Sequence, residues 1–216
     1  MTGSKLARRL IAVTVQDAAD NTQTSRSRLL AAGRMLFAQN GFEATSTATI
    51  AREAGSSESQ LIRYFGGKAG LLETIFNEAW AGLNESVAQH AGEAVHGRDA
   101  IIRILGMMIQ AFSRDHDIAF LFLFEGRRTR GATHEVLLSK GFQKFSETLA
   151  AMIARGVQDG SFRSDIDPRI LGSAMLGCAE GMIRDRVLAE RNNQSNPFED
   201  EPIVRTFTAM VNGLAP

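Results

Sequence analysis

One cysteine, four prolines, one tryptophan and one tyrosine in 216 residues exclude several kinds of protein at once. The lone Cys178 rules out an intramolecular disulfide framework and a cysteine-rich metal site. The prolines are Pro168, Pro197, Pro202 and Pro216, so the first 167 residues lack the residue that best terminates helices. β-Branched runs and Asn-Gly or Pro-Gly turns are scarce too, which predicts an all-α fold. No apolar stretch has the roughly 20 residues needed to span a bilayer. Leu10-Ile11-Ala12-Val13, although preceded by Lys5, Arg8 and Arg9, is too short and too soon interrupted for a secretory signal. The expectation is a cytoplasmic, membrane-free chain with residues 1–23 as a flexible tail.

Net charge is lacking as well, with 24 Lys+Arg against 24 Asp+Glu, which argues against a general nucleic-acid binder. The distribution is uneven. Residues 1–68 carry nine Lys/Arg against five Asp/Glu, whereas residues 69–216 carry fifteen against nineteen. A basic head on an acidic body can set one end on phosphates and keep the other off them. At 44% hydrophobic and 22% charged residues the chain folds rather than staying disordered.

The apolar residues that are present recur at helical spacing. Leu29, Ala32, Gly33, Leu36 and Phe37 share one face, and Asn40-Gly41 stops that helix. Thr45-Ser46 offers a cap for a short helix that buries Ile50, Ala51 and Ala54 and breaks at Gly55. Ser57-Glu58-Ser59-Gln60 reads as a capping box, with Gln60 expected to reach back to the cap's own N–H. The helix it opens places Leu61 and Phe65 on one face and ends at Gly66-Gly67. A long helix follows from Lys68, and further stripes run from Ile101 to Phe112, from Leu138 to Ile153 and from Ile203 to Leu214. Ile118 to Phe124 is a continuous apolar run that its helical surroundings assign to helix. Asp167-Pro168 is a cap and first-residue pair for a helix reaching Glu190.

Three short helices in about forty residues, the last two joined by a tight glycine turn, have the size of a helix-turn-helix. In that arrangement the third helix leaves its first turn free for a major groove. Glu58, Ser59 and Gln60, then Ile62, Arg63 and Tyr64, are the side chains offered there. Gln bonds adenine edges, Glu accepts from cytosine N4, and Ile meets a thymine methyl. A plain three-helix bundle with solvated polar residues fits the periodicity equally well.

The residues Leu29, Ala32, Leu36-Phe37, Asn40 to Ser46, Ile50-Ala51, Ala54-Gly55, Ser57, Leu61, Tyr64-Phe65, Lys68 and Leu71 tip that balance. Over Leu29–Leu72 the chain resembles the DNA-binding domain of TetR-type (tetracycline-repressor family) regulators. The resemblance implies phosphate contacts by Ser46, Thr47, Tyr64 and Lys68, and base or backbone contacts by Glu58, Ser59 and Gln60. Ser56, Glu58, Ser59 and Ile62 depart from the family's pattern, which puts operator identity in doubt. The implied division is residues 24–67 for DNA and residues 68–216 for effector binding and dimerisation.

For that body the resemblance implies a homodimer on a near-palindromic double-stranded operator and a small apolar or aromatic effector that releases it. Small residues on the helix from Pro168, Gly177 and Gly181 among them, together with Phe207, Met210 and Val211, are the expected dimer face. Met107, Met108, Phe112, Phe120, Phe124, Phe142, Phe145 and Met175 suit an apolar pocket, although such a stripe also makes plain core. Arg127, Arg128 and Arg130 form a basic cluster that suits an anionic ligand or a solvated loop. No cofactor is expected, and the four histidines have no metal-ligand spacing. Gly66-Gly67-Lys68 is not a phosphate loop, because Ile62 stands at the first glycine position and Ala69 at the hydroxyl position. The other readings are an all-α enzyme or lipid-binding protein, for which no catalytic constellation is found, and a helix-turn-helix governed by a protein partner without ligand.

Overall fold

A computed structural model describes residues 24–126 and 140–216. The tail expected over 1–23, the basic cluster Arg127, Arg128 and Arg130, and the stripe residue Leu138 lie outside the described residues. The described residues are helical, with no strand among them. The described residues divide into two compact units, with the boundary between Ile75 and Phe76.

The first unit holds α1 (24–40), α2 (Thr47–Glu53), α3 (Glu58–Phe65) and the start of α4 (Lys68–Gly92). Leu29, Ala32, Leu36 and Phe37 of α1 are buried, as their spacing requires. The helix ends at Gly41, whose φ of 79° is a left-handed turn that β-carbon sterics disfavour. Thr45, itself buried, donates its hydroxyl to the Gly41 carbonyl at 2.8 Å and so ties the α1–α2 loop to the helix end. α2 packs on α3, and Ile50 and Ala51 of the first and Leu61 and Phe65 of the second are buried in this unit. The α3–α4 turn is very tight: a β-carbon at Gly70 would stand 1.8 Å from the Phe65 carbonyl oxygen.

In the second unit α5 (Gly97–Arg114) packs on both α7 (Lys140–Gln158) and α9 (Asp200–Asn212), and α7 packs on α8 (Pro168–Arg191). Between them α6 (His116–Phe120) runs into a π-helical turn over Leu121–Glu125, closed by Gly126 N–H donating to the Leu121 carbonyl at 2.8 Å. The apolar run is thus helical, with one loosened turn. Asp167 caps α8 by accepting the Arg169 N–H at 2.8 Å, and Pro168 follows at the first helical position. The start of α5 has no cap of its own. Asp159 and Ser161, from the segment after α7, accept the Gly97 and Arg98 N–H groups at 2.7 and 3.2 Å.

Candidate nucleic-acid interface

Two serines set the backbone of the motif. Ser46 caps α2 by accepting the Thr49 N–H at 3.1 Å, and Ser57 caps α3 by accepting the Gln60 N–H at 3.2 Å. Only half of the expected capping box forms. Instead of reaching back to Ser57, the Gln60 carboxamide oxygen accepts the Ser56 hydroxyl at 2.5 Å. Ser56, which stands where the family pattern has an apolar residue, therefore fixes Gln60. The Gln60 Nε2 hydrogens stay available as donors toward a base edge.

Glu58 is fixed too. Its Oε2 accepts the Thr47 hydroxyl at 2.6 Å, so the first residue of α2 holds the first residue of α3. Ser59 and Arg63 are exposed, and Ile62 is 56% exposed although it is a large apolar side chain in the middle of α3. Burying such a residue against a thymine methyl removes about 1.5–3 kcal/mol worth of apolar surface from water. The Arg63 guanidinium donates to the Tyr64 hydroxyl at 2.8 Å and lies over its ring at 4.8 Å, so both are positioned together on one side of α3.

Lys68 differs from the simple expectation of a free phosphate ligand. Its ammonium donates to the Phe42 carbonyl at 2.8 Å and approaches the Glu43 carbonyl at 3.5 Å, above the Phe42 ring at 4.3 Å. It braces the loop between α1 and α2, with part of its donor capacity left over.

The aromatic residues of the second unit gather around two rings, Trp80 and Phe122, that were not among those expected to line a pocket. Trp80 of α4 is 7% exposed and stacks on Phe122 of the π-helical turn with ring centroids 4.7 Å apart. Phe142 and Phe145 of α7 flank Trp80 at 5.6 and 5.5 Å, and Phe76 and Phe112 flank Phe122 at 5.6 and 5.9 Å. One turn along α4, Asn84 donates to the Gly141 carbonyl at 3.0 Å, while its Oδ1 is buried without a hydrogen-bond partner. Among the expected residues, Phe112, Phe142 and Phe145 join this cluster, Met108 and Met175 are core, and Met107 is half-buried. Phe120 and Phe124 stack on each other at 4.8 Å, under the Arg191 guanidinium, which stands 3.5 Å from the Phe120 ring. Helical spacing from Phe76 to Trp80 carried the signal for the cluster's α4 side. Phe122 carried none, because it sits in a run without periodicity.

The expected dimer face divides. Phe207 and Val211 are corrected to core, being 3% and 1% exposed on the side of α9 that meets the unit's own helices. Gly177 and Met210 are exposed, Met210 by 47%, and Gly181 is half-exposed. Ile170, Ser173, Ala174, Gly177 and Leu188 form an outward stripe along α8, and Thr206, Ala209, Met210 and Gly213 lie exposed along α9. Among the described residues no His, Cys, Asp and Glu are grouped to hold a metal ion, and no helix is long and apolar enough to cross a membrane.

A helix-turn-helix with a polar, capped third helix, carried on a helical second unit, defines a DNA-binding regulator. Residues 29–75 match the family model for bacterial regulatory proteins of the tetR family. The fatty acid metabolism regulator protein of Bacillus subtilis is 21% identical, over 72% of this chain and 80% of that protein. The transcriptional repressor KstR2 of Rhodococcus jostii is 26% identical, over 66% of this chain and 70% of the other. Among solved structures, the fatty acid degradation regulator FadR of Bacillus halodurans superposes with a TM-score of 0.78 at 16% identity, covering 88% of this chain and 95% of that one. FadR of Bacillus subtilis, solved in complex with stearoyl-CoA, superposes with a TM-score of 0.77 at 15% identity, covering 88% and 99%. Residues 29–75 thus carry the DNA-binding domain of the tetR family, and the fold is that of the regulators it is found in.

Proposed function

We propose that the chain is a repressor that acts by binding alone, in the cytoplasm, holding a near-palindromic operator as a homodimer and releasing it when a bulky apolar effector enters the second unit. The observation that carries the effector class is the Trp80–Phe122 stack with Phe142, Phe145, Phe112 and Phe76 around it. Six aromatic rings on α4, α5, the π-helical turn and α7 suit a long acyl chain or a fused ring system. The relatives' names point the same way: the Bacillus subtilis match regulates fatty acid metabolism, and FadR of that organism was solved with stearoyl-CoA.

For the head, Ser46, Tyr64 and Lys68 take phosphates, and Glu58, Ser59, Gln60 and Ile62 take base edges. The outward stripes of α8 and α9 make the two-fold contact, which sets the two recognition helices about 34 Å apart along the groove. Release requires the effector to prefer the state that does not bind DNA, since equal affinity for both states shifts nothing.

The test uses stearoyl-CoA, free coenzyme A and a steroid-ring CoA thioester, with operator duplex selected from a random pool. One of the two apolar thioesters is expected to raise the melting temperature and lower operator occupancy, with free coenzyme A doing neither. Occupancy indifferent to all three, together with no change in melting, overturns the effector assignment.

A further inference from the structure

Thr47 and Glu58 are the first residues of α2 and α3, and one hydrogen bond joins their side chains, from the Thr47 hydroxyl to Glu58 Oε2 at 2.6 Å. A threonine hydroxyl has a single hydrogen to give, and both a carboxylate and a DNA phosphate can only accept. So long as Glu58 holds that hydrogen, Thr47 has none for the backbone. A phosphate that approaches Thr47 also meets the Glu58 carboxylate, a like charge on an exposed side chain.

We infer that this bond is an exchangeable latch, through which the identity of one base decides whether Thr47 grips the DNA backbone. The inference rests on the reading of α3 as the groove helix. Glu58 leaves Thr47 only for another donor. In the major groove the amino group of cytosine N4 is such a donor, whereas guanine and thymine present acceptors, and the adenine amino group is flanked by the N7 acceptor. Over a cytosine, Glu58 turns to the base, and the Thr47 hydroxyl passes to the adjacent phosphate. Over other bases, Glu58 keeps the hydroxyl and its charge faces the backbone. One residue pair thereby converts a sequence-blind phosphate contact into one conditional on sequence. This is a different role for Thr47 from a plain backbone ligand, and it makes Glu58 a specificity-determining residue rather than a defect in the motif.

The bond partners of Gln60 support a rigid reading head around this one movable element. The Ser57 cap holds the Gln60 backbone N–H, and the part-buried bond from Ser56 holds its carboxamide oxygen, so the side chain is already engaged away from Thr47. Glu58 is held by a single exposed contact.

The experiment selects preferred sites from a random duplex pool with the full chain. It then measures Kd on the selected duplex and on a scrambled one for wild type, Thr47→Val, Glu58→Ala and the double variant, each checked for an unchanged far-ultraviolet spectrum. Thr47→Val is expected to weaken the selected duplex about tenfold and the scrambled duplex less than about twofold. With Glu58→Ala in the background, Thr47→Val weakens both duplexes alike, because the hydroxyl is then free on either. Glu58→Ala alone tightens the scrambled duplex several-fold and erases the cytosine from a repeated selection. If Thr47→Val weakens both duplexes by the same factor while Glu58 is present, or if the selected sequence is unchanged by Glu58→Ala, the latch is wrong, although α3 still reads DNA. If wild type selects no duplex at low salt, the groove-helix reading fails and the latch fails with it.

Discussion

The Asn84 side chain donates to the Gly141 carbonyl across 57 residues of chain, and Trp80, one turn before Asn84, lies directly against Gly141. A β-carbon at Gly141 would stand 2.2 Å from Trp80 Cβ, so the first turn of α7 is seated on α4 at a distance only glycine permits. The aromatic cluster depends on that seat, since Phe142 and Phe145 follow immediately.

Gly141→Ala should therefore separate the two helices and disturb the cluster, although alanine is the better helix former. Overpacking of this kind costs about 1–3 kcal/mol. Urea denaturation reads the cost, and the emission of Trp80, the one tryptophan in the chain, reads the geometry. An unchanged midpoint with unchanged emission contradicts the seating.

Lys68 has two tasks that can be separated. Its ammonium holds the Phe42 carbonyl and lies over the Phe42 ring, so Lys68→Ala should cost the first unit about 1–2 kcal/mol. As a phosphate ligand it should also weaken every duplex alike and reduce the slope of log Kd against log salt by about one. Lys68→Arg keeps the charge but changes the shape of the donor group. It is expected to restore the salt slope and to recover stability only in part. A slope unaffected by Lys68→Ala leaves the residue with its bracing role alone.

Much of this architecture is written locally. Caps at Ser46, Ser57 and Asp167, the left-handed stops at Gly41 and Gly66, and the stripes of α1, α5 and α7 all act within a few residues, so spacing reveals them. What spacing could not reveal is who answers whom across the chain. Asp159 capping α5, Gly141 admitting Trp80, Ser56 holding Gln60 and Thr47 holding Glu58 each depend on tertiary placement. Phe207 and Val211 show the same limit from the other side: an amphipathic stripe gives the apolar face of α9 and leaves open which surface covers it.

Asp167 makes the α8 cap sensitive to acid. The hydrogen bond from the Arg169 guanidinium, and then the Arg169 N–H, hold its carboxyl at about 2, below the usual carboxylate value of about 3.8. A folded-state pKa below the unfolded one stabilises the fold above the unfolded value, and that contribution is lost as pH falls through the folded value. The thermal midpoint should thus decline between about pH 4 and pH 2 in a part assignable to Asp167. Asp167→Asn still caps the helix but has no proton to take up, so its midpoint should fall less over the same window. Carboxyl-carbon NMR gives the titration directly, and a midpoint for Asp167 near 4 would refute the assignment.

The two faces of α9 make opposite predictions for one kind of substitution. Phe207 is buried against the unit's own helices, so Phe207→Ala removes core contacts and should cost about 3–5 kcal/mol whatever the oligomeric state. Met210, three residues on, points outward, and on α8 a β-carbon added at Gly177 meets nothing within 4 Å. Gly177→Arg and Met210→Glu should therefore leave the fold of a single chain intact. If the α8–α9 stripes are the two-fold contact, each of these changes places a charge in an apolar interface and should weaken dimerisation about tenfold to a hundredfold. Operator affinity then falls in step, because each half-site is held by a separate head. Sedimentation against protein concentration distinguishes the cases: a dimer insensitive to both outward substitutions would place the symmetric contact on another surface, whereas a monomer that still melts cooperatively supports the α8–α9 stripes.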